Sequence, residues 1–232
     1  MLDTGARELC LVILAGRCDV RSSRGDWSGV GARQSVFDAL PHAVYLPPQT
    51  VVEVEALADR AEVAACLAPA ASGAEARLIG PEDVEVEMRG RDAMEREVHN
   101  ILMSSQAADS LLVTEVLTPS GHWSSYPPHK HDRDAPPEET YLEETYYHRI
   151  RPRHGFGLQR VYTHDRTLDE CIAFSDRDVV LVPRGYHTVS SPPGYDLYYL
   201  NVMAGPRRAW LIANDPDHEW LLTSTAPPGA TA

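Results

Sequence analysis

Leu111-Leu-Val-Thr-Glu-Val-Leu-Thr-Pro-Ser-Gly-His-Trp-Ser-Ser-Tyr-Pro-Pro-His-Lys-His-Asp132 joins an aliphatic, β-branched run to two histidines one residue apart, through a Pro-Ser-Gly turn. Residues two apart on a strand share a face, so His129 and His131 are expected to point the same way. Two imidazoles aimed at one point make half of a site for zinc, iron, manganese, nickel or copper. Pro127 and Pro128 stiffen the entry to that strand.

Working outward, strand signals continue on both sides. Before the quoted stretch stand Leu9–Leu14, His42–Leu46, Thr50–Glu55 and Ala61–Cys66, and after it Glu144–His148, Gly157–Tyr162, Val179–Val182 and Asp196–Val202. Each is short, rich in β-branched or aromatic residues and bounded by Gly, Pro, Ser or Asp, the spacing of a sandwich or barrel. Val51–Glu55 alternates in part, as a half-buried strand does. Eighteen prolines weigh against helices, and no long helical period is present. The chain is therefore expected to be all-β. Residues 80–100 are charged and poorly patterned and read as a connector between two β units; 226–232 read as a frayed tail. Tyr45-Leu-Pro-Pro-Gln49 and Leu181-Val-Pro-Arg-Gly-Tyr186 both end a strand with proline and a turn, a faint echo of duplication.

The 232 residues suffice for one large β unit or two small ones. A formal net charge of −13 repels phosphate backbones, so neither nucleic acid nor an anionic membrane surface is an expected partner. No apolar run approaches a membrane span, and Leu9–Ala15 lacks the flanks of a secretory signal. The four cysteines show no CxxC spacing, and Cys10, Cys66 and Cys171 lie in apolar surroundings. They read as reduced core thiols in a cytoplasmic protein.

Glu144 follows His131 by thirteen residues and opens the next strand; His187 follows a strand-ending Pro183-Arg-Gly185 turn. This order of HxH, glutamate and PxGxH resembles the ligand set of the cupin superfamily. That resemblance prefers Glu144 to Glu143, and Glu143 then points the other way. His129, His131, Glu144 and His187 would hold one divalent metal (zinc, manganese, iron or nickel) and leave positions open for substrate. His42 and His99, with neither an HxH nor a glutamate companion, are assigned no metal; His148, His154, His164 and His218 read as surface or hydrogen-bonded histidines, although His148 lies on the Glu144 face of its strand.

The segments HNILMSSQAADSLLVTEVLTPSGHWSSYPPHKHD, YLEETYYHR, GFGLQRVYT, DVVLVPRGYH and PGYDLYYLNVMAGPRRAW resemble the 5-deoxy-glucuronate isomerases of bacterial inositol catabolism, relatives of the uronate isomerase of pectin breakdown. The likeness spans essentially the whole chain and is densest over residues 96–220. It implies a bicupin: a degenerate first half with connector over residues 1–95, without metal ligands, and a metal-binding second half over 96–232. It implies conversion of 5-deoxy-D-glucuronate to 2-deoxy-5-keto-D-gluconate, with the same four ligands. His122 stands where the family usually has asparagine and Thr188 where it has proline, both near the expected pocket. Family members usually carry a few dozen more residues before Leu9, so an edge strand of the first half is expected to be missing.

Moving a carbonyl between adjacent carbons needs a proton carrier, and Lys130, His148 and Tyr199 are the candidates by location. A uronate carboxylate calls for a cation, and Arg149, Arg160 and Arg184 lie on or beside second-half strands. Gln159 is a candidate polariser, and Tyr126, Tyr146, Tyr186 and Tyr198 are candidate pocket walls. The partner is a small sugar acid, and pairing of barrel edges would make a homo-oligomer. Three rival readings stay open at this level: a diverged cupin acting on another deoxy sugar or uronate, a metal-dependent dioxygenase, and a sugar-binding cupin without catalysis.

Overall fold

Strands form where the apolar runs lie, and the chain turns at glycine and proline. The computed structural model describes residues 1–223, so the tail read at 226–232 lies outside the described residues. Among the described residues the only helical elements are the short 3-10 turns Pro81–Asp83, Asp92–Met94 and Glu219–Leu222. The all-β expectation holds.

Two units emerge, and the chain passes between them more than once. One comprises Met1–Glu87, Val98–Val116 and Leu200–Arg208; the other comprises Met88–Glu97, Leu117–Tyr199 and the described residues from Ala209 onward. The sequence reading draws a single division between residues 95 and 96. The units interleave instead, because Arg96–Leu102, Leu111–Thr118 and Asp196–Ala204 each change unit along their length.

The first unit contains two four-stranded sheets. One runs in the order Leu2–Asp3, Val51–Ala56, Cys18–Ser22, Gly25–Val30; the other in the order Glu62–Pro69, Arg7–Ala15, His42–Leu46, Arg77–Ile79. Leu9, Leu11, Ile13, Val20, Val30, Val44, Leu46 and Val52 form a common core. Arg7–Ala15 is buried on both faces from Glu8 to Leu14, which is why its apolar run shows no alternation. Val51–Ala56 is less buried than its alternation implies, with only Val52 inside.

Polar groups in this unit are deeply placed and closely paired. Glu8, fully buried, accepts hydrogen bonds from the Tyr45 hydroxyl at 2.6 Å and from the backbone N–H groups of Asp109, Ser110 and Leu111 at 2.8, 2.7 and 2.6 Å. Arg33 makes a bidentate pair with Glu115 at 2.8 and 2.9 Å, and His99 Nδ1 stands 2.8 Å from the same carboxylate. His99 thus has a glutamate companion that its sequence neighbourhood hides, and the companion is engaged by an arginine. Cys10, Cys18 and Cys66 are buried thiols, and burial pushes Cys66 up to about 12. Cys171 is exposed, contrary to its reading as a core thiol, because strand Asp169–Ser175 is an edge strand open to solvent on most of its residues.

The second unit is built around the five-stranded order Asp169–Ser175, Phe156–Tyr162, Tyr186–Ser190, Trp123–Lys130, Ala213–Asn214. Glu143–Arg151 pairs with Val179–Val182 in another sheet, with Glu144 opposite Val182. Chain leaving Val182 turns through Pro183–Gly185 and enters Tyr186–Ser190, carrying it from beside Glu144 to beside Trp123–Lys130. That crossing sets up the site.

Candidate metal centre

Register puts the ligands together. His129 lies directly opposite His187 in the antiparallel pair of Trp123–Lys130 with Tyr186–Ser190, and their rings are 4.7 Å apart. His131 follows that strand and exchanges bonds with Leu142: its carbonyl accepts the Leu142 N–H and its Nδ1 stands 2.9 Å from the Leu142 carbonyl. Glu144, Tyr146 and His148 share the buried face of Glu143–Arg151, whereas Glu143 is exposed and accepts from the Tyr141 hydroxyl. The alternation that favours Glu144 is realised.

The ligand nitrogens of His129, His131 and His187 lie within 4.8 Å of one another, all buried. Glu144 Oε2 stands 3.1 Å from His131 Nε2 and 3.0 Å from His187 Nε2. The donor inventory tests the fit of a cation. Carbonyl oxygens only accept, so the contacts of His131 Nδ1 with Leu142 and of His187 Nδ1 with Gly185 (3.1 Å) place a proton on each Nδ1. The neutral rings then present bare Nε2 lone pairs to one carboxylate oxygen, acceptor against acceptor. His187 Nε2 is buried without a hydrogen-bond partner. A divalent metal satisfies all of these groups together, so the residues fit one.

The electrostatics agree. Burial alone would raise Glu144, but the neighbouring His187 and His131 hold its carboxyl far below the ordinary carboxylate range. Burial lowers His129 well below the usual imidazole value, with His187 and His131 adding to the effect. Burial also opposes charge on His131, but Glu144 outweighs it and raises that ring. A proton on His131 and a metal therefore compete for the same carboxylate.

The surrounding shell is specific. Gly185, at φ +93° with Tyr162 O only 2.7 Å from where a Cβ would sit, takes a backbone shape suited to glycine. Its N–H donates to Asp132 Oδ2 at 2.8 Å while its carbonyl receives His187 Nδ1. Asp132 accepts from Lys130 Nζ at 2.6 Å, and Lys130 also pairs with fully buried Glu139 at 2.8 Å. Lys130 thus points into an ion-pair cluster and is held as a cation: burial opposes its charge, but Asp132 and Glu139 outweigh it.

His148 and Tyr199, by contrast, adjoin the cluster. Tyr146 lies 5.9 Å from His187, 5.9 Å from His148 and 5.1 Å from Tyr199, ring to ring. His148 stacks on Phe174 at 3.6 Å, and its Nε2 is 3.0 Å from Gln159 Oε1. His148 Nδ1 and Gln159 Nε2 are buried without partners. Burial lowers His148 to about 4. Tyr199 hydrogen-bonds Ser124, while Ser125 Oγ reaches the hydroxyls of Tyr146 at 3.0 Å and Tyr199 at 3.5 Å. Ser125 reaches them from a left-handed backbone (φ 48°), where register slips between Ser124 and His129. Nothing in the sequence signals that bulge.

The three arginines named from sequence lie elsewhere. Arg149 falls on the face opposite His148 and binds Asp176 at 2.8 Å. Arg160 alternates with buried Gln159 and makes a bidentate pair with Asp169. Arg184 is exposed on the turn. Tyr126 is half-buried and packs on exposed Trp123, ring centroids 5.3 Å apart. Tyr186 and Tyr198 are buried, Tyr186 packing on Tyr162 at 5.5 Å. The departures are tied in: His122 Nδ1 is 2.8 Å from the Glu95 carbonyl, and Thr188 donates to the Ser124 carbonyl at 3.1 Å. Three arginines of the supposed connector, Arg89, Arg91 and Arg96, belong instead to this unit. Arg89 stacks on Trp210 at 4.6 Å, with the Trp210 ring 6.5 Å from His129. Arg96 donates to the Tyr126 carbonyl at 3.3 Å.

Known proteins resemble the chain over nearly its whole length. The KduI/IolB family profile matches residues 1–221. The chain is 57% identical over 223 residues to the 5-deoxy-glucuronate isomerase of Geobacillus kaustophilus, covering 96% of this chain and 80% of that protein. It is 49% identical over 218 residues to the one from Bacillus subtilis strain 168, covering 93% and 80%. A crystal structure of an IolB-like protein from Salmonella typhimurium LT2 superposes with a TM-score of 0.93 at 51% identity, covering 96% of this chain and 84% of that one. A Bacillus subtilis oxalate decarboxylase variant superposes with a TM-score of 0.61 at 13% identity, covering 92% and 67%, a likeness of fold alone. That likeness supports a bicupin-type all-β fold.

Proposed function

Because the chain belongs to the KduI/IolB family, we propose that it is a metal-dependent aldose–ketose isomerase converting 5-deoxy-D-glucuronate to 2-deoxy-5-keto-D-gluconate. The observation that carries this reading is the convergence of three buried imidazoles and one carboxylate beside a hydroxyl-lined wall, in a chain 57% identical to a 5-deoxy-glucuronate isomerase. No helix of the described residues is long and apolar enough to cross a membrane. We place the protein in the cytoplasm as a homo-oligomer acting on a small sugar acid.

His129, His131, Glu144 and His187 hold one divalent metal, with zinc, manganese, iron and nickel all suited to the donor set. When bound, the metal acts as a Lewis acid that polarises the sugar carbonyl and its neighbouring hydroxyl. The rest falls to side chains. His148, kept neutral by burial, presents Nδ1 as the base, and Gln159 fixes its tautomer through Nε2. Tyr199, in its hydroxyl relay with Ser124 and Ser125, returns a proton to the carbon chain or its oxygens. Lys130 acts at one remove, neutralising Asp132 and Glu139 so that the Gly185 peptide and His187 keep their aim.

The test is turnover. Metal-reconstituted protein incubated with 5-deoxy-D-glucuronate should replace the aldose signals by ketose signals in the NMR spectrum. Unchanged substrate at full metal loading would sink the assignment.

A further inference from the structure

The proposed substrate carries a carboxylate, and the arginines first considered for it are turned away and paired with Asp176 and Asp169, or exposed on a turn. The segment Met88–Glu97 supplies another candidate. It belongs to the metal-binding unit, tied down by His122 to the Glu95 carbonyl and by Arg91 to the Leu221 carbonyl. Arg96, half-buried, donates to the carbonyls of Met94 at 3.0 Å and Tyr126 at 3.3 Å. Tyr126 adjoins Ser125, whose hydroxyl meets Tyr146 and Tyr199, and Tyr146 abuts His187. A guanidinium thus stands at one end of a wall of hydroxyls, with the imidazole cluster at the other.

We propose that Arg96 recognises the carboxylate of the sugar acid, setting the preference for an acid over a neutral sugar, while Ser125, Tyr146 and Tyr199 line the path between it and the metal ligands. This rests on the isomerase reading above. Burial pushes the Tyr199 phenol above its ordinary value, the Arg96 charge pulls it down and Glu144 adds to the rise, in keeping with a phenol lying between guanidinium and ligand carboxylate. The chemistry suits the role. A planar guanidinium presents paired donors to a carboxylate, and a half-buried setting strengthens the attraction over its value in water. Arg89 is placed differently, with its face against Trp210.

The experiment compares wild type, Arg96→Gln, Arg96→Lys and Arg89→Gln on 5-deoxy-D-glucuronate and on its neutral counterpart, 5-deoxy-D-xylo-hexose. The neutral sugar is scored by turnover, or by its inhibition constant if it is not turned over. Metal content is measured for every variant. Arg96→Gln should lose about 100-fold in kcat/KM for the uronate, mostly through KM, the value of a charge-assisted bond left unmade. The neutral sugar should stay within about threefold of wild type, and Arg96→Lys should recover part of the loss. Equal losses on both sugars would make Arg96 a structural tie of the Tyr126 bulge and overturn the proposal. So would an unchanged Arg96→Gln, whether or not Arg89→Gln loses the uronate preference. A wild type that leaves the uronate unchanged instead overturns the isomerase reading, and this one with it.

Discussion

Asp132→Ala should weaken metal binding without removing a ligand. Asp132 Oδ2 holds the Gly185 N–H at 2.8 Å, and the carbonyl of the same residue receives His187 Nδ1 at 3.1 Å. The carboxylate therefore aims His187 through one intervening residue. Removing such an outer partner costs about 10- to 100-fold in metal affinity, or about 1.4 to 2.7 kcal/mol. Asp132→Asn keeps an oxygen for the Gly185 N–H and gives up only charge assistance and the Lys130 pair, a loss of about fivefold or less. The assay is competition for the metal against a chelator of known affinity, with urea unfolding of each variant as the control for global stability. The reasoning fails if Asp132→Ala binds metal as wild type does, or if Asn proves as damaging as Ala.

Two further outcomes follow from buried charges. Glu115→Leu strands the Arg33 guanidinium, whose side chain is 1% exposed, and should cost about 3 to 5 kcal/mol in urea unfolding, while adding Arg33→Met restores most of it; a single variant within about 1 kcal/mol of wild type would contradict this. His148 is lowered by burial to about 4, whereas an unfolded chain protonates it near 6.5. Between those values the unfolded state binds the extra proton. Stability attributable to His148 is therefore full above pH 6.5 and falls by up to about 3 kcal/mol as the pH drops towards 4. His148→Gln should show a shallower acid decline than wild type, and parallel curves would refute the assignment.

Much of this was legible in the sequence. Alternation sufficed to turn Glu144 inward and Glu143 outward, and the Pro183–Gly185 turn announced the step that brings His187 opposite His129. What stayed hidden depends on contacts between residues distant in the chain. The Glu139 carboxylate that captures Lys130 is nine residues away across a loop, so Lys130 read as a reactive amine rather than a spent cation. Arg149 and Arg160 were identified by proximity in sequence, but the period of two that buries His148 and Gln159 puts their neighbours on the opposite face, where Arg149 is buried against Asp176 and Arg160 pairs with Asp169. Residues 80–100 read as a connector, yet Glu85–Arg89 and Arg96–Leu102 are strands; the first buries none of its residues and so shows no hydrophobic alternation, and the stretch between them is tied by side chain-to-carbonyl bonds that leave no pattern. Cys171 read as core because its apolar neighbours Ile172 and Ala173 lie on an exposed edge strand.

The most direct test measures metal stoichiometry and 5-deoxy-D-glucuronate isomerisation together in wild type, His129→Ala and Glu144→Ala. Wild type should carry one divalent metal per chain and produce the ketose, with both properties lost together in the variants. Either variant retaining a full equivalent of metal, or metal-stripped wild type isomerising the uronate at the loaded rate, would contradict the account.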